Sequence, residues 1–426
     1  MHLKIKIWHI IVLICLMIFI VRFKLVINTY LFSFEYLYLI FSSFSKAAGQ
    51  FSLSLIDSIL SSAFIVIIPA VSYLKRKKHL LGRQINFTSL VIIGLLIFFI
   101  MAPLITGTNP DFQKNLSETK LLPPLSKVEV LHLKDESRTD KSFFANFIKL
   151  KNIVVKRSFD ENIILADSIS YSGMVIYYQN GTAYEIPAEK LITENGKPVI
   201  TTKCFLLGTD ELGRDIFSRL VYGARISLFV GLGSVLISLV LGLSLGFLAG
   251  YPGGIIDSSI SRFTDMFLAF PVIFLIILVL ALFGNSLLSV IVVLGFSGWM
   301  SLFKIVRGEV ISLKNKDFFV SAKLIGLSKT QLLLREVLPV ILAPVTVNLV
   351  FQYGSVILAE AALSYLGLGT GSSYPSWGSM IESGQNYLSQ AWWMIFFPGL
   401  LLFLTLYTAN NLGKEINSYF NPRVEL

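Results

Sequence analysis

The chain is built of long apolar runs separated by polar intervals of very unequal length. Three runs come first: Ile7 to Val21, Leu25 to Phe44 and Ile59 to Leu74. Phe87 to Ile105 follows and, at roughly 20 residues, is long enough to cross a hydrocarbon core of about 30 Å. A polar interval then runs from Thr106 to Lys203. Five more apolar runs succeed it: Leu228 to Tyr251, Met266 to Phe283, Leu287 to Phe303, Val340 to Leu363 and Trp392 to Leu412. This pattern predicts an all-α polytopic membrane protein.

Basic residues orient the runs. Lys75-Arg76-Lys77-Lys78, with Arg83, marks a cytoplasmic loop, because short cytoplasmic loops carry the excess of Lys and Arg. If the Lys4 and Lys6 end is also cytoplasmic, an even number of spans lies between. The first three runs then make two spans. Either Ile7–Val21 and Leu25–Phe44 form one long bent element, or one of them lies in the interface. The basic start and short apolar run outline a signal peptide, but Arg22 and Lys24 follow where a small-residue cleavage site would stand, so an uncleaved anchor is expected. The expected organisation is residues 1–84 as extra spans with a basic loop, 85–106 as the first core span, 107–206 as an extracytoplasmic insertion, and 207–426 as the rest of a core of six spans.

The insertion has a different pattern. Val128 to Leu133, Ile153 to Arg157 and Asn162 to Leu165 read as strands. Ser172 to Ile186 alternates around Asn180-Gly181, a strong short hairpin signal. A small folded β-rich domain is expected, with an unstructured spacer as the rival. Asn180-Gly181-Thr182 also matches a glycosylation acceptor, but Asn-Gly is better explained as the turn.

Composition sharpens the membrane reading. The 426 residues are 54% hydrophobic and 15% charged, with a formal net charge of +10, whereas soluble domains carry about a quarter charged residues. The positive balance suits anionic headgroups. Nucleic acid is not the expected partner, since the basic residues sit beside apolar spans. Cys15 and Cys204 lie in unlike surroundings, and His2, His9, His79 and His132 have no ligand spacing, so no disulfide and no metal site is expected. No phosphate-binding G-x-x-x-x-G-K-[ST] loop occurs, nor HExxH or GxSxG; no catalytic residue and no directly bound cofactor is expected.

Three amide or carboxyl side chains stand inside one apolar run: Asn348, Gln352 and Glu360. Such groups are costly in lipid and face a bundle interior or a water-filled path. They are candidates for lining a translocation path; interhelical hydrogen bonding is the alternative. The run Leu228–Tyr251 carries Gly231, Gly233, Gly242, Gly246 and Gly250, spacings that let helices approach closely in lipid.

The polar island Asp317 to Pro339, DFFVSAKLIGLSKTQLLLREVLP, separates two apolar runs. Phe318 to Leu324 reads as a short helix, Gly326 as its break, and Thr330 to Val337 as a second helix closed by Pro339. It is either a solvated loop or a shape that docks into a groove on another protein. The island resembles the coupling loop of bacterial ABC importer permeases. The family pattern is Glu-Ala-Ala, a Gly four residues later and Leu-Pro about a dozen residues on. Ser321, Ala322, Gly326 and Leu338-Pro339 occupy those places here, and Val320 stands where Glu is usual. The resemblance implies that Phe318, Ser321, Ala322, Gly326, Leu338 and Pro339, within a cytoplasmic loop 307–339, couple the chain to an ATPase.

A second stretch, Leu207 to Ser227, LGTDELGRDIFSRLVYGARIS, packs charges of both signs between glycines. On its own it reads as a membrane-surface helix from Glu211 that presents Arg214, Ser218, Tyr222 and Arg225 to headgroups or a partner. Its wording resembles the opening motif of the oligopeptide and dipeptide permease family, second-subunit type, at Gly208, Thr209, Asp210, Gly213, Arg214 and Asp215. EAALSYLGLG at Glu360 to Gly369, PSWG at Pro375 to Gly378, Pro398-Gly399 and Asn410 to Gly413 resemble the same family, and Asn421-Pro422-Arg423 stands where Asp-Pro-Arg is more usual. The likeness covers about Phe87–Thr106 and Leu207–Arg423. It implies a permease bundle in the inner (cytoplasmic) membrane with four kinds of partner: a homologous permease subunit, ATPase subunits that hold ATP and Mg, an extracytoplasmic solute-binding protein, and lipid. The implied function is import of peptides or similar small solutes. The alternative is a membrane-anchored ligand sensor that uses the outer domain, which would need a cytoplasmic output domain.

Overall fold

Helices dominate the computed structural model, which describes residues 6–74, 85–134, 147–148, 150–156, 162–171, 174–194, 197–370 and 375–420. The basic cluster at 75–83, Ser172 and Asn421-Pro422-Arg423 lie outside the described residues. Helices α1 (Ile7–Val21), α2 (Phe23–Ser42), α3 (Phe44–Gln50), α4 (Leu53–Leu74) and α5 (Phe87–Ile105) precede the insertion. After it come α7 (Ile216–Gly250), α8 (Gly254–Leu268), α9 (Val272–Phe283), α10 (Leu287–Leu313), α11 (Asp317–Leu324), α12 (Lys329–Gln331), α13 (Leu338–Tyr365), α14 (Trp377–Gly384) and α15 (Trp393–Phe420); the one-turn α6 (Leu116–Thr119) lies within the insertion. Among the described residues seven helices are long and apolar enough to cross a membrane, and eight spans result if α8 and α9 form one.

That count equals the expected two plus six, but two elements differ from expectation. The run Met266–Phe283 is not one straight helix: α8 and α9 meet at 84°. The break is at Ala269–Pro271, where Pro271 lacks the N–H that a continuing helix needs. Pro339 does not close a helix either. Leu332–Val337 forms a π-helical turn that leads straight into α13, with Pro339 in its first turn. The wider turn accommodates the ring and the missing donor.

The chain forms two compact units, 1–225 with 383–397, and 226–382 with 398–426. In the first, α1 and α2 are joined through Arg22 alone. Cys15, Val26, Ile65, Ile97 and Met101 share one apolar cluster contributed by α1, α2, α4 and α5.

Among its described residues the insertion holds three small antiparallel sheets, ordered β2-β1-β8, β3-β4-β5 and β6-β7. The strands are β1 (Ser126–His132), β2 (Ile163–Ala166), β3 (Ser168–Tyr171), β4 (Val175–Gln179), β5 (Thr182–Ile186), β6 (Thr193–Glu194), β7 (Lys197–Pro198) and β8 (Ile200–Phe205). β4 and β5 form the expected hairpin, and its turn residues Asn180 and Gly181 both have positive φ, 49° and 75°, as a type I′ turn requires. Of the expected strand Ile153–Arg157, Arg157 lies outside the described residues, and residues 153–156 instead belong to a π-helical turn, Asn152–Lys156. Its β-branched residues suit a strand, but Val154, with Phe147, fills a cluster with Phe32, Leu39, Ala47 and Leu55 of α2–α4. Tertiary burial overrides local preference there. The insertion is therefore tied to the N-terminal helices as well as carrying its own sheets, and Lys151 Nζ adds a hydrogen bond to Gln50 Oε1 at 2.6 Å.

In the second unit α7 lies against α10 along a seam of glycines. A Cβ placed on Gly242, Gly246 or Gly250 would lie within 3.0 Å of Leu302, Val306 or Val310 respectively. Equal steps of four on both helices make the pair parallel and in register. Ser234 and Ser238 of α7 donate to the carbonyls of Ile291 and Gly295 of α10.

Candidate functional site: a coupling loop and buried polar positions

The loop expected over 307–339 begins later, because α10 continues to Leu313. Asp317 starts α11 with its carboxylate in the first turn, where the helix dipole favours it. Gly326, with φ +91°, reverses the chain, a conformation that costs an L-residue about 1 kcal/mol. No heavy atom stands within 4 Å of the place where its Cβ would be. Ser328 then caps α12 by a reciprocal pair with Gln331, the arrangement that satisfies two orphan donors at a helix start.

The loop has two faces. Phe319, Ala322, Leu332 and Val337 are buried in one cluster with Leu302, Val306 and Val310 of α10 and Ile341 and Val345 of α13. On the other side Leu324 and Ile325 are 82% and 81% exposed, and Phe318, Val320 and Leu334 are also exposed. Of the sequence-predicted coupling residues, Phe318 and Gly326 therefore face outward, whereas Ala322 belongs to the chain's own core. The apolar knob Leu324–Ile325 was missed by motif reasoning; its signal was two aliphatic residues immediately before a reversing glycine.

The three polar positions of α13 do not gather on one open surface. Asn348 Nδ2 donates to Ser301 of α10 at 3.3 Å. Gln352 Nε2 donates to Ser238 of α7 at 2.6 Å, and it occupies the space left by Gly298, whose Cβ would fall 1.7 Å from it. Glu360 is fully buried. Its carboxylate accepts from Ser364 at 2.8 Å and Ser227 at 3.2 Å. Ser227 Oγ in turn accepts from the backbone N–H of Trp377, and Ser364 and Ser376 hydroxyls stand 3.4 Å apart. In this conformation the three residues make interhelical hydrogen bonds. The buried amide oxygens of Asn348 and Gln352 have no hydrogen-bond partner. Serines 227, 238 and 376 were missed in the sequence, where serine is too common to signal a partner.

The opening motif is a folded lock, not a surface helix: α7 begins only at Ile216, and Asp210 and Arg214 are buried. Asp210 accepts from the N–H groups of Leu212 and Arg214 and from Arg214 Nε at 2.6 Å. Gly213 takes φ +69° against Thr119, and Gly208 φ +80° against Leu122 and Trp393. The Thr209 hydroxyl accepts from Leu122 N–H and donates to the Thr119 carbonyl, while Trp393 Nε1 donates to the Thr209 carbonyl. Burial pushes the Glu211 and Asp215 carboxyls up, and Ser218 donors oppose this at Asp215. The Thr209 hydroxyl thus ties the motif to Thr119 and Leu122 of the insertion, and the paired Asp210 and Arg214 are turned inward instead of toward headgroups. Among the described residues no group of three or more His, Cys, Asp or Glu is arranged to hold a metal.

Residues 242–425 match the family model described as binding-protein-dependent transport system inner membrane component. The dipeptide transport system permease protein DppC of Bacillus subtilis is 38% identical over 234 residues, covering 55% of this chain and 72% of that protein. The di/tripeptide transport system permease protein DppC of Pseudomonas aeruginosa is 37% identical over 221 residues, 52% of this chain and 73% of its own length. For the oligopeptide transport system permease protein OppC of Haemophilus influenzae the figures are 36% over 216 residues, 51% and 70%. Among solved structures, an inward-facing MetNI methionine ABC transporter aligns at 16% identity and a TM-score of 0.36, over 46% of this chain and 96% of that one. The chain belongs to the family of binding-protein-dependent transport system inner membrane components, the permease subunits of ABC transporters.

Proposed function

We propose that the chain moves peptides or similar small solutes across the cytoplasmic (inner) membrane, as a permease subunit that works with a homologous permease subunit, separate ATPase subunits and an extracytoplasmic solute-binding protein. ATP and Mg belong to the ATPases in this reading. The observation that carries it is the two-faced loop: α11 is bonded into its own bundle by Phe319 and Ala322 while Leu324 and Ile325 project from it. Exposed aliphatic residues beside a rigid reversal suit an apolar groove on another protein. ATP-driven movement of that groove would displace α11 and, through it, the spans. The peptide class rests on the relatives whose names state dipeptide or oligopeptide transport. The sensor reading has less support, since those relatives are transport permeases.

The test is co-purification of the ATPases and peptide uptake in Leu324→Asp, Ile325→Asp and Gly326→Asp. Each is expected to leave the chain inserted and to lose both signals by tenfold or more. Ala322→Asp differs in kind, because it places a charge in the chain's own core and is expected to lower the amount of folded protein. Normal co-purification with Leu324→Asp and Ile325→Asp together would refute the docking surface.

A further inference from the structure

Helix α5 is bent near its end. Met101 has φ −108° and ψ 17°, outside the helical range, and Pro103 follows two residues later. Pro103 has no N–H, so the carbonyl of Phe99 has no i+4 donor in its own helix. In lipid no water replaces such a donor. The guanidinium of Arg225, from the first turns of α7, supplies it: Nε donates to Phe99 O at 2.6 Å and Nη2 to Ile100 O at 3.0 Å. The third donor, Nη1, meets the Asp57 carboxylate of α4 at 2.5 Å. Ser61, one turn further along α4, donates to Ile100 O at 2.8 Å. Beyond the bend, Arg22 donates to the carbonyls of Leu104 and Ile105, where a cation also complements the end of a helix.

Three features that are each costly within apolar surroundings are thus made compatible: a carbonyl without its helical donor, a cation and an anion. Asp57 neutralises the arginine that holds the bend. Asp57 lies in the N-terminal helices, outside residues 242–425 that match the family model. We propose that Asp57 is a positioning residue for transport: acting through Arg225, it fixes the bend of α5 and makes the N-terminal helices a working part of the permease. This rests on the reading of the chain as a peptide permease. Arg225 without its carboxylate still has two carbonyls to hold, so the loss of Asp57 loosens the bend without removing the arginine.

The experiment reconstitutes the full chain with its partner subunits and binding protein in proteoliposomes. It follows uptake of radiolabelled trialanine, ATP hydrolysis with and without peptide-loaded binding protein, and the amount of inserted chain. Asp57→Asn is expected to lower uptake per inserted chain about tenfold while basal ATP hydrolysis stays within twofold, so that more ATP is spent per peptide. Asp57→Glu, which keeps the charge, is expected to restore uptake to within twofold. Pro103→Ala returns the N–H to Phe99 and makes the bend independent of Arg225, so adding Asp57→Asn to it is expected to lower uptake less than twofold further. Unchanged uptake in Asp57→Asn would overturn the proposal. So would uptake that falls only in proportion to inserted protein, or an equal loss on the Pro103→Ala background. Absence of trialanine uptake in the unsubstituted complex would instead refute the peptide reading, leaving the ratio of stimulated to basal hydrolysis across the same variants to decide the role of Asp57.

Discussion

Gly246→Ala tests the seam between α7 and α10. An added Cβ would lie 2.6 Å from Val306 Cγ1, 2.7 Å from Val306 Cβ and 3.3 Å from the backbone nitrogen of Arg307. Carbon atoms pack best at about 3.5–4.0 Å, so these atoms must retreat by about 1 Å. A rotamer change moves Cγ1 but not Cβ, and the relief therefore requires the helices to part. Gly242 on Leu302 and Gly250 on Val310 are seated in the same way one turn to either side. A gap of about 0.5–1 Å forfeits roughly a quarter to a half of each contact there. Overpacking of this kind costs about 1–3 kcal/mol, or about 5- to 150-fold in the folding equilibrium. The assay is reversible unfolding in mixed micelles for Gly246→Ala, Val306→Gly and the pair. Val306→Gly is destabilising alone, through its cavity and about 1 kcal/mol of helix propensity. It removes both clashing carbons, so the pair is expected to be more stable than the sum of the single losses by 1–3 kcal/mol. Additivity within about 0.5 kcal/mol, or a Gly246→Ala protein as stable as the parent, would refute the close seam.

Two further expectations follow from buried carboxyl groups. Glu360→Ala leaves Ser364 without its acceptor and is expected to destabilise the fold by about 1–3 kcal/mol, whereas Glu360→Gln keeps an acceptor oxygen and is expected to lose less than half as much; equal losses in the same micelle assay would count against the serine cage. In the insertion, burial raises the Glu118 carboxyl to about 6, aided by the neighbouring Asp167. A carboxyl raised on folding gives stability that is complete below its unfolded value and is lost as pH rises through about 6, a difference of about 2 kcal/mol by pH 7. Melting of the whole chain at pH 4.5 and 7.5 should show this, and Glu118→Gln should flatten it; a melt that rises over that range in the parent and not in the variant would contradict the assignment.

The sequence exposed what is local and hid what depends on a distant partner. The glycines of α7 were legible as a close-approach surface, because their spacing repeats along one helix. Their partners Leu302, Val306 and Val310 were not, since ordinary aliphatic residues carry no mark of what they face. Asn180-Gly181 was legible because the turn's backbone selects those residues. Ile153–Arg157 was misread because its β-branched run satisfies a strand, while Phe32, Leu39 and Leu55, about a hundred residues earlier, decide otherwise. Arg225 was read as facing headgroups. Pro103 leaves a carbonyl in need of a donor, and nothing in the sequence says which arginine answers it. In the loop between α10 and α13 the reversal at Gly326 was legible, and the burial of Ala322 was not.

In the proposed function, a force on the exposed side of the loop would reach the helices through its buried side. Phe319 and Ala322 of α11 share a cluster with Val306 and Val310, the side chains that seat on the glycines of α7. Close-packed interiors transmit strain instead of absorbing it, and at a glycine seam α7 has no side chain whose rotamer could take up a displacement. A shift of α11 must therefore move α10 and α7 together. Helix α8 follows, since Arg307 of α10 is paired with Asp257 and Lys304 with Asp265. Helix α9 departs from α8 at 84°, but Ile276 and Leu280 share a buried cluster with Val230 of α7 and with Val290, Ile291 and Leu294 of α10, so it is carried along too. Packing thus joins α7, α9 and α10 into one body, with α8 paired to it through Arg307 and Lys304, and a displacement of α11 would be passed to that body through Phe319 and Ala322.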